Sequence, residues 1–237
     1  MARTLLEHIQ RVSMRVGLPI PSAIITSTDA QVKQLRVCLE DAVAEAMARW
    51  TWEVLQRRAT FTSVAAESQG TLVSLTGTDF VKINNDTIWD LTNRRPIRGP
   101  VSQSHWQERT AAGLTGPFYE YQIRGGELLL NPAPAAGDSY SFFWTSNKCY
   151  KNASGAMKST LSADDDTVVF SDAMVYYGTL YLWKMEKGLP YAEDLRQWEL
   201  VATAEALANG TKPTLYLDEP ARSARPGIVI PEGSWPL

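Results

Sequence analysis

Two histidines, two cysteines and a run of three aspartates are the residues of this chain whose chemistry could reach beyond structure. A histidine acting as a base needs a nucleophile within hydrogen-bond reach and an acid to orient it. His8 lies in an N-terminal amphipathic segment and His105 beside Trp106 in a short polar one. Neither carries a nucleophile elbow, a Cys–His signature or zinc-ligand spacing, so both are read as surface histidines. A calcium loop alternates its carboxylates and needs a glycine at the sixth position. In Asp164-Asp165-Asp166 the three are contiguous and no glycine follows closely. Adjacent carboxylates point in different directions, so the expectation is a solvated turn ahead of the β-prone Thr167-Val168-Val169-Phe170. A glycosidase needs two carboxylates flanking a cleft, and no pair is singled out.

Arg94, Arg95 and Arg98 cluster around Pro96. They can contact an acidic partner or a passing phosphate, or fork to nearby carbonyls and carboxylates. Arg124-Gly125-Gly126 lacks the strand-to-helix setting of a phosphate loop. Cys38 and Cys149 have no metal-ligand spacing and read as reduced thiols. The residues therefore point to no catalytic group, no cofactor and no metal.

What must position these side chains is an ordinary globular chain. Of its 237 residues 44% are apolar and 21% charged, the balance of a soluble protein with a sizeable core. A net charge of −3 is no footprint for wrapping nucleic acid. No apolar run reaches the roughly 18 residues of a bilayer span, and Met1 to Thr4 lead straight into the first helix rather than a signal peptide. Eight tryptophans are heavy usage, fitting either a large core or partner interfaces.

Apolar residues at Leu5, Ile9, Val12 and Val16 predict a helix over 4–16 that Gly17 stops. Thr28-Asp29-Ala30-Gln31 reads as a capping box. Behind it a long helix, free of Gly and Pro to residue 55, carries Val32, Leu35, Leu39, Val43, Met47 and Trp50. From Arg58 the texture turns β-prone, with strands expected near 59–64, 71–75, 80–83, 87–91, 119–123, 128–130 and 139–145. A short helix capped by Ser102 interrupts them, and Gly125-Gly126 reads as a hairpin turn. Helix signals return at Ser171 or Asp172, stop at Gly188, and resume with Pro190 in the first turn of a last helix that Asn209-Gly210 ends. The expected fold class is α+β, a bundle of N- and C-terminal helices with an inserted antiparallel β-sandwich-like domain and an extended tail. Its boundaries fall at 1–57, 58–170, 171–209 and 210–237. The Pro-rich tail carries apolar anchors, Leu215-Tyr216-Leu217, Ile228-Val229-Ile230 and Trp235, too many for simple disorder. They suit docking on another surface, including strand addition to an exposed edge, or lying back on their own domain.

Several segments resemble a known family. Trp50-Thr51-Trp52 running into Arg57-Arg58-Ala59-Thr60-Phe61 is similar to the helix-to-strand joint of phage adaptor and tail tubular proteins. Residues 87–97 (Thr-Ile-Trp-Asp-Leu-Thr-Asn-Arg-Arg-Pro-Ile), Gly99-Pro100 with Trp106, residues 124–134 and residues 188–194 resemble the portal adaptors of short-tailed phages. Together the resemblance spans about residues 28–208. It implies a non-enzymatic virion protein, assembled in the host cytoplasm into a dodecameric ring between portal and tail, through which DNA passes. The implied partners are the portal protein, further copies of the chain, and a downstream tail or nozzle protein, with no membrane. Candidate contact residues are the tail anchors together with Arg94, Arg95 and Arg98. Some such adaptors have been described as cell-wall hydrolases, which nothing in these residues supports. The competing expectation is a carbohydrate- or receptor-binding β-sandwich, which needs an exposed aromatic platform at Trp89, Trp106 and Trp144.

Overall fold

A computed structural model describes residues 3–113 and 119–209. The expected tail, with Leu215, Tyr216, Leu217, Ile228, Val229, Ile230 and Trp235, lies outside the described residues. Within them the protein is mixed α and β, with six α-helices and antiparallel sheets. No helix among them is long and apolar enough to cross a membrane.

Helix α1 (Leu5–Val16) starts with a reciprocal capping box between Thr4 and Glu7 and stops at Gly17 in the left-handed conformation. Helix α2 (Ala30–Arg49) is capped differently from the expectation. Asp29, not Thr28, accepts the Gln31 amide at 2.8 Å, because a carboxylate one residue nearer the first turn reaches that donor directly. The helix ends at Arg49, next to the Trp50-Thr51-Trp52 expected to close it. Trp50 turns extended, and buried Trp52 folds back so that its indole donates to the orphan carbonyl of Ala46 at 2.9 Å.

Strands β1 (Gln56–Thr62) and β2 (Ser68–Thr71) follow, and then a second correction. Residues expected as a strand over 71–75 instead form the one-turn helix α3 (Leu72–Thr76), because the Thr71 hydroxyl accepts the Ser74 amide and caps a helical turn. Strands β3 (Phe80–Ile83), β4 (Trp89–Asp90) and β5 (Arg95–Pro96) lead to α4 (Gln103–Ala112), capped by Ser102 as expected. Strands β6 (Glu120–Arg124) and β7 (Glu127–Asn131) form a hairpin on Gly125-Gly126. After β8 (Ser139–Ser146) come three short strands, β9 (Tyr150–Lys151), β10 (Met157–Lys158) and β11 (Thr167–Val168). Helices α5 (Asp172–Glu186) and α6 (Ala192–Asn209) end the described chain. Gly188 closes α5 at a φ of 65°, with Leu189 N–H donating to Lys184. Pro190 falls outside α6, whose first turn is set by Leu195 N–H donating to the Tyr191 carbonyl.

The five-stranded sheet runs β1-β8-β4-β5, with β3 also on β8, and a separate three-stranded sheet runs β2-β7-β6. The β1–β8 register is continuous, from Gln56 opposite Thr145 to Thr62 opposite Ser139. Side chains alternate across a strand, so Ala59 and Phe61 share the buried face with Tyr140, Phe142 and Trp144. They form one apolar cluster with Tyr121, Leu128 and Leu130 of the second sheet and with Ile88 and Ile97.

A second cluster belongs to the helices. Helix α5 is apolar nearly all round and packs against α1, α2 and α6. Its Gly178 is where α2 and α6 close on it: a Cβ there would sit 2.8 Å from Ala42 Cβ and 2.9 Å from Trp198 Nε1. Cys149, Tyr150, Leu161, Val168 and Phe170 join this helical cluster, so the β-rich stretch beyond Ser146 packs with the helices.

Candidate functional site

The residues with chemical potential are engaged in holding the fold. His8 is buried, against the expectation of a surface histidine. It lies one turn from Leu5 and Val12, on the same inward stripe of α1. Its Nε2 is 3.5 Å from Asp172 Oδ1, an oxygen that also accepts the Arg3 amide at 3.1 Å. Burial pushes the His8 pKa down to about 4, with Asp172 opposing, so the imidazole is neutral near pH 7. His105 is half-buried on α4, with Nε2 3.3 Å from Glu120 Oε2, and Arg109 reaches the same oxygen at 3.0 Å. Glu120 is buried on β6, so this trio pins α4 to the sheet. No local signal marks Glu120, since its partners lie more than ten residues away.

The aspartate run is not a solvated turn. Asp164 accepts the Ile24 and Ile25 amides, the latter at 2.8 Å, and fixes the loop between α1 and α2. Asp166 is fully buried, paired with Lys158 Nζ at 2.7 Å and accepting the Ser162 and Ala163 amides. Burial opposes ionisation of Asp166, but those hydrogen bonds and the lysine charge outweigh it and hold the pKa below the usual carboxylate range. The carbonyls of Asp164 and Asp166 take the Leu6 and Leu5 amides, orphan donors of the first turn of α1. The two engaged carboxylates do diverge, and no group of three His, Cys, Asp or Glu among the described residues could hold a metal ion.

Arg94, Arg95 and Arg98 sit exposed along the β4–β5 hairpin and its exit, with Ile97 buried between them. Buried Asp90 builds the turn by accepting the amide and side-chain N–H of Asn93, which leaves Arg94 left-handed at a φ of 54°. The backbone of Arg98 exchanges hydrogen bonds with Tyr119 and Tyr121. The three exposed arginines thus sit close together along the hairpin and its exit.

The hollows among the described residues include two open ones. One of about 210 Å³ is lined by Glu67, Arg109 and Asn131, and one of about 510 Å³ by Lys151, Thr167 to Ala173 and Glu205. The serine of the larger, Ser171, caps α5 through its hydroxyl. Cys38 and Cys149 are free and buried, and burial pushes both thiols up to about 11. Trp106 and Trp144 are buried, Trp144 because it shares the inward register of Tyr140 and Phe142, so Trp89 alone of the proposed aromatic platform reaches solvent, at 36% exposure. No family model matches the chain, and no curated protein matches it.

Proposed function

We propose that this chain is a structural adaptor of a tailed phage, forming a ring between portal and tail through which DNA passes. In this reading the helices of both chain ends make a bundle, residues between them make an inserted antiparallel β-sandwich, and residues beyond 209 form an extended arm. The observation that carries it is the wedging of α5 between α1, α2 and α6, so that sequence-remote helices share one core around an excursion into sheet. That is the organisation the resemblance implies. The residues that carry the resemblance act as joints: Trp50 and Trp52 where α2 meets β1, Gly125-Gly126 in a hairpin, Gly188 between α5 and α6. The engagement of His8, Glu120, Asp164 and Asp166 in structural contacts supports a scaffold role.

A ring closes when a heterologous contact repeats with the right rotation. Permanent contacts of this kind bury about 2,000 Å² or more. The exposed arginine edge of Arg94, Arg95 and Arg98 suits an acidic patch of the portal or of the tail protein below, and the anchors Ile228-Val229-Ile230 and Trp235 suit an apolar one. The test is native mass spectrometry of the full chain mixed with its portal. A complex carrying a dodecamer of this chain on the portal supports the reading, and absence of any complex, or a single bound copy, overturns it.

A further inference from the structure

Strand β1 borders its sheet and pairs with β8 on one side only. In an antiparallel strand the N–H and C=O of one residue point to the same side, and successive residues alternate. Ser63, just past β1, donates to the Asp138 carbonyl at 2.8 Å and accepts the Gly137 amide at 3.0 Å, so both its groups point toward β8. Counting back, Phe61 and Ala59 also point toward β8, while Thr62, Thr60 and Arg58 point away from it. Strand β8 agrees from its far side. The Ser139 and Phe143 carbonyls, opposite Thr62 and Arg58, accept the Leu91 and Asn84 amides and so face away from β1.

The open stretch of this edge is bounded at both ends. Gln56 N–H donates to the Glu53 carbonyl, and the Gln56 carbonyl accepts Arg57 Nη1 at 2.8 Å. Val64 N–H donates to Gln69 Oε1 at 3.0 Å, and the Val64 carbonyl accepts Gln69 Nε2 at 3.2 Å. Between them, the backbone groups of Arg58, Thr60 and Thr62 find no hydrogen-bond partner among the described residues. Helix α3 packs against both β1 and β3, on opposite sides of β8, so it crosses the inner face rather than running along this edge. The Arg58 side chain is drawn over its own sheet, with Nη2 3.3 Å from Ser141 Oγ. An unpaired edge of this kind is a template for another strand.

We infer that the β1 edges of two copies of this chain pair antiparallel about a two-fold axis at Thr60. In this register Thr60 opposes Thr60, Arg58 opposes Thr62 of the other copy, and every open backbone group exchanges a hydrogen bond. Directly opposed residues share a face, so Ala59 meets Phe61 of the other copy on the inner side, small against large. Centring on Ala59 leaves Thr62 unpaired and sets Arg57 against Phe61. Centring on Phe61 leaves Arg58 unpaired, and centring on Arg58 opposes two like charges. A one-residue slip turns the inner residues toward solvent. The Thr60 register also holds the two Arg58 residues about 13 Å apart along the strand, beyond the screening length of about 8 Å. Three open residues centred on one of them are their own complement, which selects a second copy as the partner. The contact is short, in the class below about 1,200 Å² whose complexes are transient, so the pair exchanges with the monomer. A two-fold contact closes on itself and cannot repeat around a ring, so the pair lies beyond the adaptor reading and belongs to the unassembled chain.

The test needs no portal, so its failure is distinct from failure of the adaptor reading. Sedimentation velocity of the full chain over a wide concentration range should show a monomer–dimer equilibrium. Thr60→Pro removes an edge N–H and no bond to β8, so it should abolish the dimer and keep the circular dichroism spectrum. Thr60→Cys, mildly oxidised, should give a disulfide-linked dimer on a non-reducing gel. Directly opposed Cα atoms of a hydrogen-bonded pair lie about 5.5 Å apart, within disulfide range. Thr62→Cys is equally exposed but about 13 Å along the strand from its counterpart, and should not link. Buried Cys38 and Cys149 do not compete. A monomer at every concentration, a Thr60→Pro chain that still dimerises, no link at Thr60→Cys, or equal linking at Thr62→Cys overturns the inference.

Discussion

Replacing Gly178 by alanine adds one methyl group at the point where three helices meet. In a solvent-exposed helix this change stabilises, by about 1 kcal/mol, through higher helix propensity. Here the new Cβ would stand 2.8 Å from Ala42 Cβ and 2.9 Å from Trp198 Nε1, both far inside van der Waals contact. Neither neighbour can rotate away. Ala42 Cβ is fixed to the backbone of α2, and the fully buried Trp198 ring is held by Trp50 at 6.1 Å, Tyr181 at 5.5 Å and Arg49 at 4.7 Å. The helices themselves must shift, and overpacking of this kind costs about 1–3 kcal/mol, with two rigid contacts pointing to the upper end. After the propensity gain is subtracted, a net loss of about 2 kcal/mol is expected, or a fall in Tm of about 4–8 °C for a chain of this size. Thermal unfolding followed by circular dichroism measures it. Ala42→Gly in the same background should recover part of the loss. An unchanged or higher Tm for the single variant would refute the claim that α5 sits in direct contact with both neighbours.

Three further outcomes are expected. Because His8 titrates near pH 4 in the folded chain and near 6.5 unfolded, the unfolded state binds more protons between those values. Its contribution is therefore complete above pH 6.5 and lost as the pH falls toward 4, about 3 kcal/mol in all. Urea titrations at pH 7.5 and 4.5 should show a larger acid loss for the wild type than for His8→Gln, and equal losses would refute it. Asp166→Asn strands Lys158 and weakens the first turn of α1, so chemical denaturation at pH 7 should register a loss of about 3 kcal/mol. Since the Asp166 pKa is depressed on folding, that contribution is complete above the unfolded carboxylate value and is lost as the pH falls from there through the lower folded value. Alanine at Arg94, Arg95 and Arg98 together should leave stability within about 1 kcal/mol, because all three side chains are exposed, while weakening capture of portal or tail protein in a pull-down.

Features set by neighbouring residues were legible in the sequence. Gly17, Ser102, Gly125-Gly126 and Gly188 all punctuate the chain where expected, because caps and turns depend on a few adjacent residues. The Asp29 cap and helix α3 were missed because competing hydrogen bonds of similar strength decide them locally. His8 could have been placed inside, since its position repeats the spacing of Leu5 and Val12. The partners of Asp164 and Asp166 could not, because Ile24 lies 140 residues from Asp164, and tertiary contacts alone make those carboxylates structural. The same holds for Glu120, whose value to the fold depends on where α4 lands. The order of the sheets, with β8 at the centre between β1 and β3 or β4, is equally non-local.

The pairing of Gln56 with Thr145 has a consequence for how such a chain can change over evolutionary time. The excursion into sheet departs and returns at adjacent positions, so the helices meet it through a base two strands wide. Whatever is built above that base can lengthen, shrink or be exchanged for another fold while α2 and α5 keep their places. Descendants of one scaffold can in this way acquire new surfaces without relearning how to fold.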